Sequence, residues 1–84
     1  MNIYISNLST AVREADLRDL FSRFGPLQSV KLALESSTGH SRGFGFVEMS
    51  RENGLKAIRS LHGKIIEGKA ISVAESIKRN GIYG

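Results

Sequence analysis

The spacing of hydrophobic residues switches between two periods along this 84-residue chain, and the order of the switches limits the folds it can adopt. Residues 2–8 carry β-branched and aromatic residues in alternation and end in a turn-rich segment, which predicts a strand. Residues 13–24 then follow the period of a helix, and the pair Gly25-Pro26 is expected to end it. The face of this helix carries apolar residues at i, i+3, i+4 and i+7: Leu17, Leu20, Phe21 and Phe24.

Two more strands, a second helix and a last strand complete the pattern. In the strand over 27–34, Leu27 does not follow the alternation of the other apolar residues. In the second helix, Leu55, Ile58 and Leu61 share one face. The order β-α-β-β-α-β is that of the ferredoxin-like sandwich, an α+β fold in which two helices cover one face of a four-stranded antiparallel sheet. The remaining predicted segments are strands over 27–34 and 42–49, a helix over 51–61 after the N-cap Ser50, a turn or hairpin over 64–69 around Gly68, and a strand over 70–76 with Ile71 and Val73 inward.

Length and charge fit a single small domain with an anionic partner. The domain is predicted over 1–77, with a short basic tail over 78–84, and the formal net charge of +4 favours nucleic acid or an anionic surface. The chain has no cysteine for disulfides, no apolar run near the ~20 residues of a membrane span, and only two histidines, His40 and His62. We therefore expect no metal, cofactor or membrane contact. A monomer is predicted, located in the cytoplasm, or in the nucleus if the source is eukaryotic.

Alternation within the strands places three aromatic side chains on the face that the helices leave open. If Val47 packs under the helices, Phe44 and Phe46 of the same strand point outward, and if Ile3 and Ile5 are core, Tyr4 does the same. Aromatic residues in strands are more often core, but Phe44 and Phe46 cannot be inward together with Val47. A platform of exposed rings flanked by cations suits single-stranded nucleic acid, whose bases stack on the rings.

The third strand also carries a motif. The octamer Arg42-Gly43-Phe44-Gly45-Phe46-Val47-Glu48-Met49 resembles that of the RNA-recognition motif family, with Met49 in place of the final aromatic residue. The segment Ile3-Tyr4-Ile5-Ser6-Asn7-Leu8 is similar to the companion hexamer of that family. The resemblance covers residues 2–79, and the chain is similar to the short single-motif RNA-binding proteins of bacteria, including the cyanobacterial ones. It implies single-stranded RNA as the partner and leaves single-stranded DNA open.

The resemblance also implies roles for individual residues. Tyr4 and Phe46 match the positions on which successive bases stack, Phe44 matches the position that packs against the sugars, and Arg42 matches the cation that meets a phosphate. Glu48 and Glu75 are expected near the RNA path, where they would repel phosphate or accept hydrogen bonds from base amino groups. The complete set of predicted RNA-binding residues is Tyr4, Asn7, Lys31, Arg42, Phe44, Phe46, Lys78 and Arg79.

Some residues depart from the family pattern. Arg13 stands where a Ser, Thr or Asp cap is usual, and Gly54 replaces a usual Ala and weakens the second helix by roughly 1 kcal/mol. Ser72 and Ala74, outward on the last strand, are small and predict modest discrimination between RNA sequences, which fits a general post-transcriptional role. His62 is expected to interact with the helix dipole or with water.

Two alternatives stay open. One is a protein-interaction module of the same fold, acting through the helical face or a modified platform. The other is a small hydrolase of the acylphosphatase type, which needs a phosphate-cradling loop and an Arg after the first strand. Arg13 is near that place, but residues 7–12 contain no glycine, and the sequence shows no nucleophile–base pair. The prediction is therefore a non-enzymatic protein.

Overall fold

The structure is a computed structural model that describes residues 1–76. The predicted tail 78–84 and the domain boundary at residue 77 lie outside this range. Four strands form one antiparallel sheet and a separate two-stranded hairpin precedes the last of them, in agreement with the predicted fold class. The elements in chain order are β1 (Asn2–Ser6), α1 (Glu14–Ser22), β2 (Leu27–Leu34), β3 (Ser41–Met49), α2 (Arg51–Leu61), β4 (Ile65–Ile66), β5 (Lys69–Ala70) and β6 (Ser72–Ser76).

The strand order in the sheet is β2-β3-β1-β6, so that β1 and β3 are central. β1 ends at Ser6, two residues earlier than predicted, because Asn7 adopts a left-handed backbone conformation with φ of 57°. β2 contains a register shift between Leu27 and Ser29, which oppose Met49 and Glu48. This shift explains why Leu27 lies off the alternation of its strand and still packs against the core.

The first helix is shorter than predicted but has a defined start. The carboxylate of Asp16 accepts a hydrogen bond from the Arg13 backbone N–H, with 2.8 Å between the Oδ2 and N atoms. The Asp16 backbone N–H in turn donates to the Arg13 carbonyl, at 3.0 Å. Asp16 thus supplies the side-chain half of a capping arrangement that Arg13 cannot supply. After the helix, Gly25 has a φ of +145°, which favours glycine.

The second helix begins as predicted and presents a different face to the sheet. The Ser50 hydroxyl accepts a hydrogen bond from the Asn53 backbone N–H at 3.3 Å, which confirms Ser50 as the N-cap. The buried residues of α2 are Gly54, Ala57 and Leu61, whereas Leu55 is 39% exposed. The buried face is therefore rotated away from Leu55.

The core lies between the helices and one face of the sheet. Gly45 permits close packing there, because a Cβ at this position would lie 2.5 Å from the Lys31 carbonyl oxygen and 3.1 Å from Leu17 Cδ1. Met49 is fully buried, as its predicted role of filling the core requires. The core residues are Ile3, Ile5, Leu8, Val12, Leu17, Phe21, Leu32, Val47, Met49, Ala57, Leu61, Ile71 and Val73.

The segment between α2 and the last strand is the predicted hairpin. Its two turn residues, Glu67 and Gly68, have φ values of 51° and 81°, the combination that two-residue hairpin loops favour. Ala70 belongs to this hairpin, so the last strand of the main sheet begins at Ser72 rather than at residue 70. Neither helix within residues 1–76 is long and apolar enough to cross a membrane.

His62 and Gly54 make contacts that the sequence did not predict. The Nδ1 atom of His62 accepts a hydrogen bond from the Val73 backbone N–H at 3.0 Å, so His62 joins the end of α2 to β6. Gly54 is buried because the Met1 side chain occupies the space that a Cβ would fill. The absence of a side chain in α2 therefore allows the N-terminal residue to pack on the helix.

Candidate nucleic-acid interface

Three aromatic rings lie together on the face of the sheet that the helices leave open. The ring centroid of Tyr4 is 5.3 Å from that of Phe46 and 5.9 Å from that of Phe44, with interplanar angles of 46° and 48°. Phe44 and Phe46 meet edge to face at 6.3 Å. These separations are typical of favourable aromatic pairs, so the rings support one another. The predicted outward position of all three residues is confirmed.

Register explains why the rings cluster. Tyr4 is directly opposite Phe46 in β3 and Ala74 in β6, and Lys31 in β2 is opposite Phe46. One row across all four strands therefore reads Lys31, Phe46, Tyr4, Ala74. Directly opposed side chains share a face, so the exposed Lys31 side chain lies on the same face as the rings, next to Phe46. Ala74 is too small to cover Tyr4 from the other side.

Arg42 reaches the aromatic cluster although the strand is irregular there. Leu32 opposes Gly45 while Leu34 opposes Ser41, so β3 has two extra residues between these pairs, and Gly43 within them has a φ of +84°. The Arg42 guanidinium carbon lies 5.6 Å from the centroid of the Phe44 ring, within the range of a cation–π contact. The side chain is exposed, so its N–H groups are accessible to a phosphate.

Asn7 contributes to the fold as well as to the candidate surface. Its side-chain amide donates a hydrogen bond to the Ala70 carbonyl, with 2.8 Å between Nδ2 and O. Together with the positive φ of Asn7, this bond holds the end of β1 against the hairpin. Of the other predicted site residues, Lys78 and Arg79 lie outside the described residues.

A second row of polar side chains runs beside the aromatic row. Asn2 is opposite both Glu48 and Ser76, and Ser29 is opposite Glu48. The Ser29 hydroxyl donates to Glu48 Oε1 at 3.5 Å, and Glu48 is half-buried. Asn2 was missed by the sequence reasoning, although it has the same parity as Tyr4 and alternation alone places it on the open face.

Glu75 does not lie on this surface, and its predicted place near the RNA path is wrong. It is opposite Ile3, a fully buried residue, and therefore faces the helices. Its carboxylate Oε2 lies 3.3 Å from Nη1 of Arg51 at the start of α2. Since Val73 was predicted inward, alternation already placed Glu75 on the same side. Within residues 1–76, Glu48 is the one carboxylate on the open face of the four strands.

Comparison with known proteins agrees with this geometry. The family model described as RNA recognition motif matches residues 3–72. A crystal structure of RNA Binding Protein PG1 is 40% identical, with a TM-score of 0.89 and coverage of 94% of this chain and 96% of that one.

Two structures determined with RNA are also similar. The Rna15 RRM with bound RNA (GU) is 26% identical, with a TM-score of 0.84 and coverage of 92% of this chain and 83% of that one. An Sxl-lethal protein/RNA complex is 25% identical, with a TM-score of 0.88 and coverage of 95% of this chain and 48% of that one. By its family match and its fold, the chain belongs to the RNA recognition motif family.

Proposed function

We propose that this protein binds single-stranded RNA on the open face of its sheet. One base stacks on Tyr4 and the next on Phe46, Phe44 packs against the sugar between them, and Arg42 meets a phosphate. The observation that carries this proposal is the cluster of three rings, 5.3 to 6.3 Å apart, on a sheet face that no helix covers. Family membership and the similarity to two RRM structures determined with RNA support it.

Single strands are favoured over duplexes because of what the rings require. A base can stack on Tyr4 or Phe46 only if one of its faces is free, whereas bases inside an A-form duplex have both faces covered by their neighbours. The platform is also flat and wide, so it offers no ridge that could enter a groove. We therefore expect loops, ends and unpaired segments to be the targets.

The number of stacked bases and phosphate contacts determines the expected affinity for RNA. Two or three stacked bases at about 1–3 kcal/mol each, reduced by the free energy of ordering the RNA, correspond to a dissociation constant of about 1–100 µM. Lys31 and Arg42 are the cations placed near the rings by register and by the cation–π contact. Two neutralised phosphates give a slope of log affinity against log salt of about −1.4.

The proposal describes a binding module without catalytic activity that acts as a monomer. Its physical basis is that stacking and phosphate contacts leave RNA chemically unchanged, and that one domain presents the whole platform. Single-stranded DNA is included as a second ligand, because its bases stack on aromatic rings as those of RNA do. A post-transcriptional role in the cytoplasm follows from such a ligand and stays a prediction.

Fluorescence anisotropy tests this function with a labelled single-stranded RNA and a matched duplex, each at low and high salt. The test variant replaces Tyr4, Phe44 and Phe46 with Ala. The matched control is Leu55→Ala, because Leu55 and Phe46 are both 39% exposed but lie on opposite sides of the molecule. We expect micromolar, salt-sensitive binding to the single strand, lost in the triple variant and unchanged in the control.

Other outcomes discriminate among the alternatives. Equal affinity for duplex and single strand contradicts the stacking mechanism. Full RNA affinity in a folded triple variant contradicts the platform as the binding surface. Absence of binding by the folded wild-type protein favours a protein-interaction module that uses the helical face.

A further inference from the structure

We infer that Glu48 is a specificity-determining residue that selects a guanine base next to the aromatic platform. This inference rests on the proposed RNA binding and adds to it the identity of one nucleotide. It begins from the polar row Ser29, Glu48, Asn2 and Ser76, which crosses all four strands directly beside the row that contains Phe46 and Tyr4. The two rows are two residues apart on each strand, or about 7 Å. A base neighbouring the stacked ones therefore reaches the polar row.

The charge of Glu48 restricts what can contact it. Its carboxylate has only acceptor atoms, and a phosphate placed against it would be repelled. No lysine or arginine within residues 1–76 forms an ion pair with Glu48. The one hydrogen bond that the described residues give it comes from Ser29 to Oε1 at 3.5 Å, which leaves Oε2 and much of Oε1 available. An RNA group that contacts this carboxylate has to donate hydrogen bonds, and the donors that differ between nucleotides are those of the base edges.

Guanine is the base whose edge fits best. Its N1–H and its exocyclic N2 amino group are adjacent donors, so a carboxylate accepts two parallel hydrogen bonds from them. Adenine and cytosine each offer one amino group on that edge, and uracil offers one ring N–H. Asn2, directly opposite Glu48, adds a side-chain amide whose N–H can donate to the guanine O6. A carboxylate and an amide side by side therefore complement the acceptor–donor–donor order of guanine.

Position supports this role over a structural one. Glu48 is half-buried on the open face, and the fold makes no use of its charge: the carboxylate that pairs with an arginine from α2 is Glu75, on the other side of the sheet. The Ser29 bond holds Oε1 of Glu48 on the β2 side of β3, and Asn2 flanks Glu48 on the other side, in β1. Orientation before binding reduces the entropy lost when the base docks.

The test uses short labelled oligouridines that carry one central guanosine, inosine, adenosine or cytidine, titrated against the wild type, Glu48→Gln and Glu48→Ala. Wild type should prefer guanosine over the other bases by about tenfold, the effect of one good bidentate contact. Inosine, which lacks the N2 amino group, should fall between guanosine and adenosine. Both variants should lose this preference while binding plain oligouridine at least as tightly as wild type, because a negative charge has been removed. Glu52→Gln, the same charge change on α2, is the control.

The results separate this inference from the proposed function. Equal wild-type affinity for all the oligonucleotides overturns guanine selection and leaves RNA binding standing. A guanosine preference that survives in both variants, or a preference for adenosine or cytidine, also overturns it. Lack of binding to every oligonucleotide by the folded protein removes the proposed function as well. Equal loss of affinity for guanosine-containing and plain oligouridine in a variant with wild-type urea denaturation would contradict the inference, because Glu48 would then support RNA binding in general rather than one base.

Discussion

Phe46 and Val47 are consecutive residues of β3 whose side chains point to opposite faces of the sheet. Phe46 is 39% exposed among the rings, whereas Val47 is completely buried under the helices. Replacing each with Ala should therefore produce different defects in one stretch of chain. Phe46→Ala should weaken RNA binding, and Val47→Ala should leave it unchanged, although the two substitutions destabilise the fold to a similar degree.

The magnitudes follow from the contacts. Phe46→Ala removes ring pairs with Tyr4 at 5.3 Å and Phe44 at 6.3 Å, which lowers the free energy of unfolding by about 1–3 kcal/mol. Val47→Ala removes two methyl groups from a fully buried site, which lowers the free energy of unfolding by about 2 kcal/mol. The loss of one stacked base in Phe46→Ala adds about 1–3 kcal/mol to the free energy of binding, or about 5- to 150-fold in the dissociation constant.

Urea denaturation and fluorescence anisotropy at 25 °C measure the two quantities on the same samples. A domain of this size is expected to retain several kcal/mol of stability, so both variants should be folded during the binding measurement. If Val47→Ala lost RNA affinity as strongly as Phe46→Ala, binding would depend on stability and the stacking argument would be refuted. Unchanged affinity in Phe46→Ala would refute it as well.

Three further substitutions test how the fold positions this face, each by urea denaturation. Gly45→Ala should lower the free energy of unfolding by about 3 kcal/mol, because its Cβ would meet the fixed Lys31 carbonyl oxygen at 2.5 Å; wild-type stability would contradict the close packing. Gly54→Ala should stay within about 1 kcal/mol of wild type, since the flexible Met1 side chain can move aside and alanine favours the helix; a large loss would show that Met1 is fixed. Ser50→Ala should cost about 1 kcal/mol through the lost N-cap, with an unchanged denaturant slope; no change would show that the cap contributes nothing.

Alternation was sufficient to predict the faces of the strands. Because successive side chains of a strand point to opposite faces, one buried residue such as Val47 fixes the side of Phe44 and Phe46. By the same reasoning, the inward positions of Ile3 and Ile5 predicted that Tyr4 points to the open face. Where alternation was not applied consistently, the prediction was wrong: Glu75 has the parity of Val73 and faces the helices, where it pairs with Arg51.

Contacts between distant segments could not be predicted in this way. The bond from the Val73 N–H to His62 and the packing of Met1 over Gly54 each join residues that no local pattern relates. The family resemblance gave Arg42 a place beside the ligand, and its guanidinium carbon lies 5.6 Å from the centroid of the Phe44 ring. The two extra residues of β3 around Gly43, which interrupt its pairing with β2, could not be predicted from alternation.

Recognition of one base depends on strand register, whereas recognition of RNA in general does not. The sequence of one strand shows which of its residues point outward, and that is enough to predict rings on which any base can stack. Selection of guanine requires an acceptor and a donor from different strands at a fixed distance, and whether Glu48 lies opposite Asn2 or is displaced by one pair depends on how β1 and β3 align. A register shift of two residues would keep every ring on the open face and separate these two side chains. Base selection by this surface is therefore more sensitive than RNA affinity to changes in strand alignment.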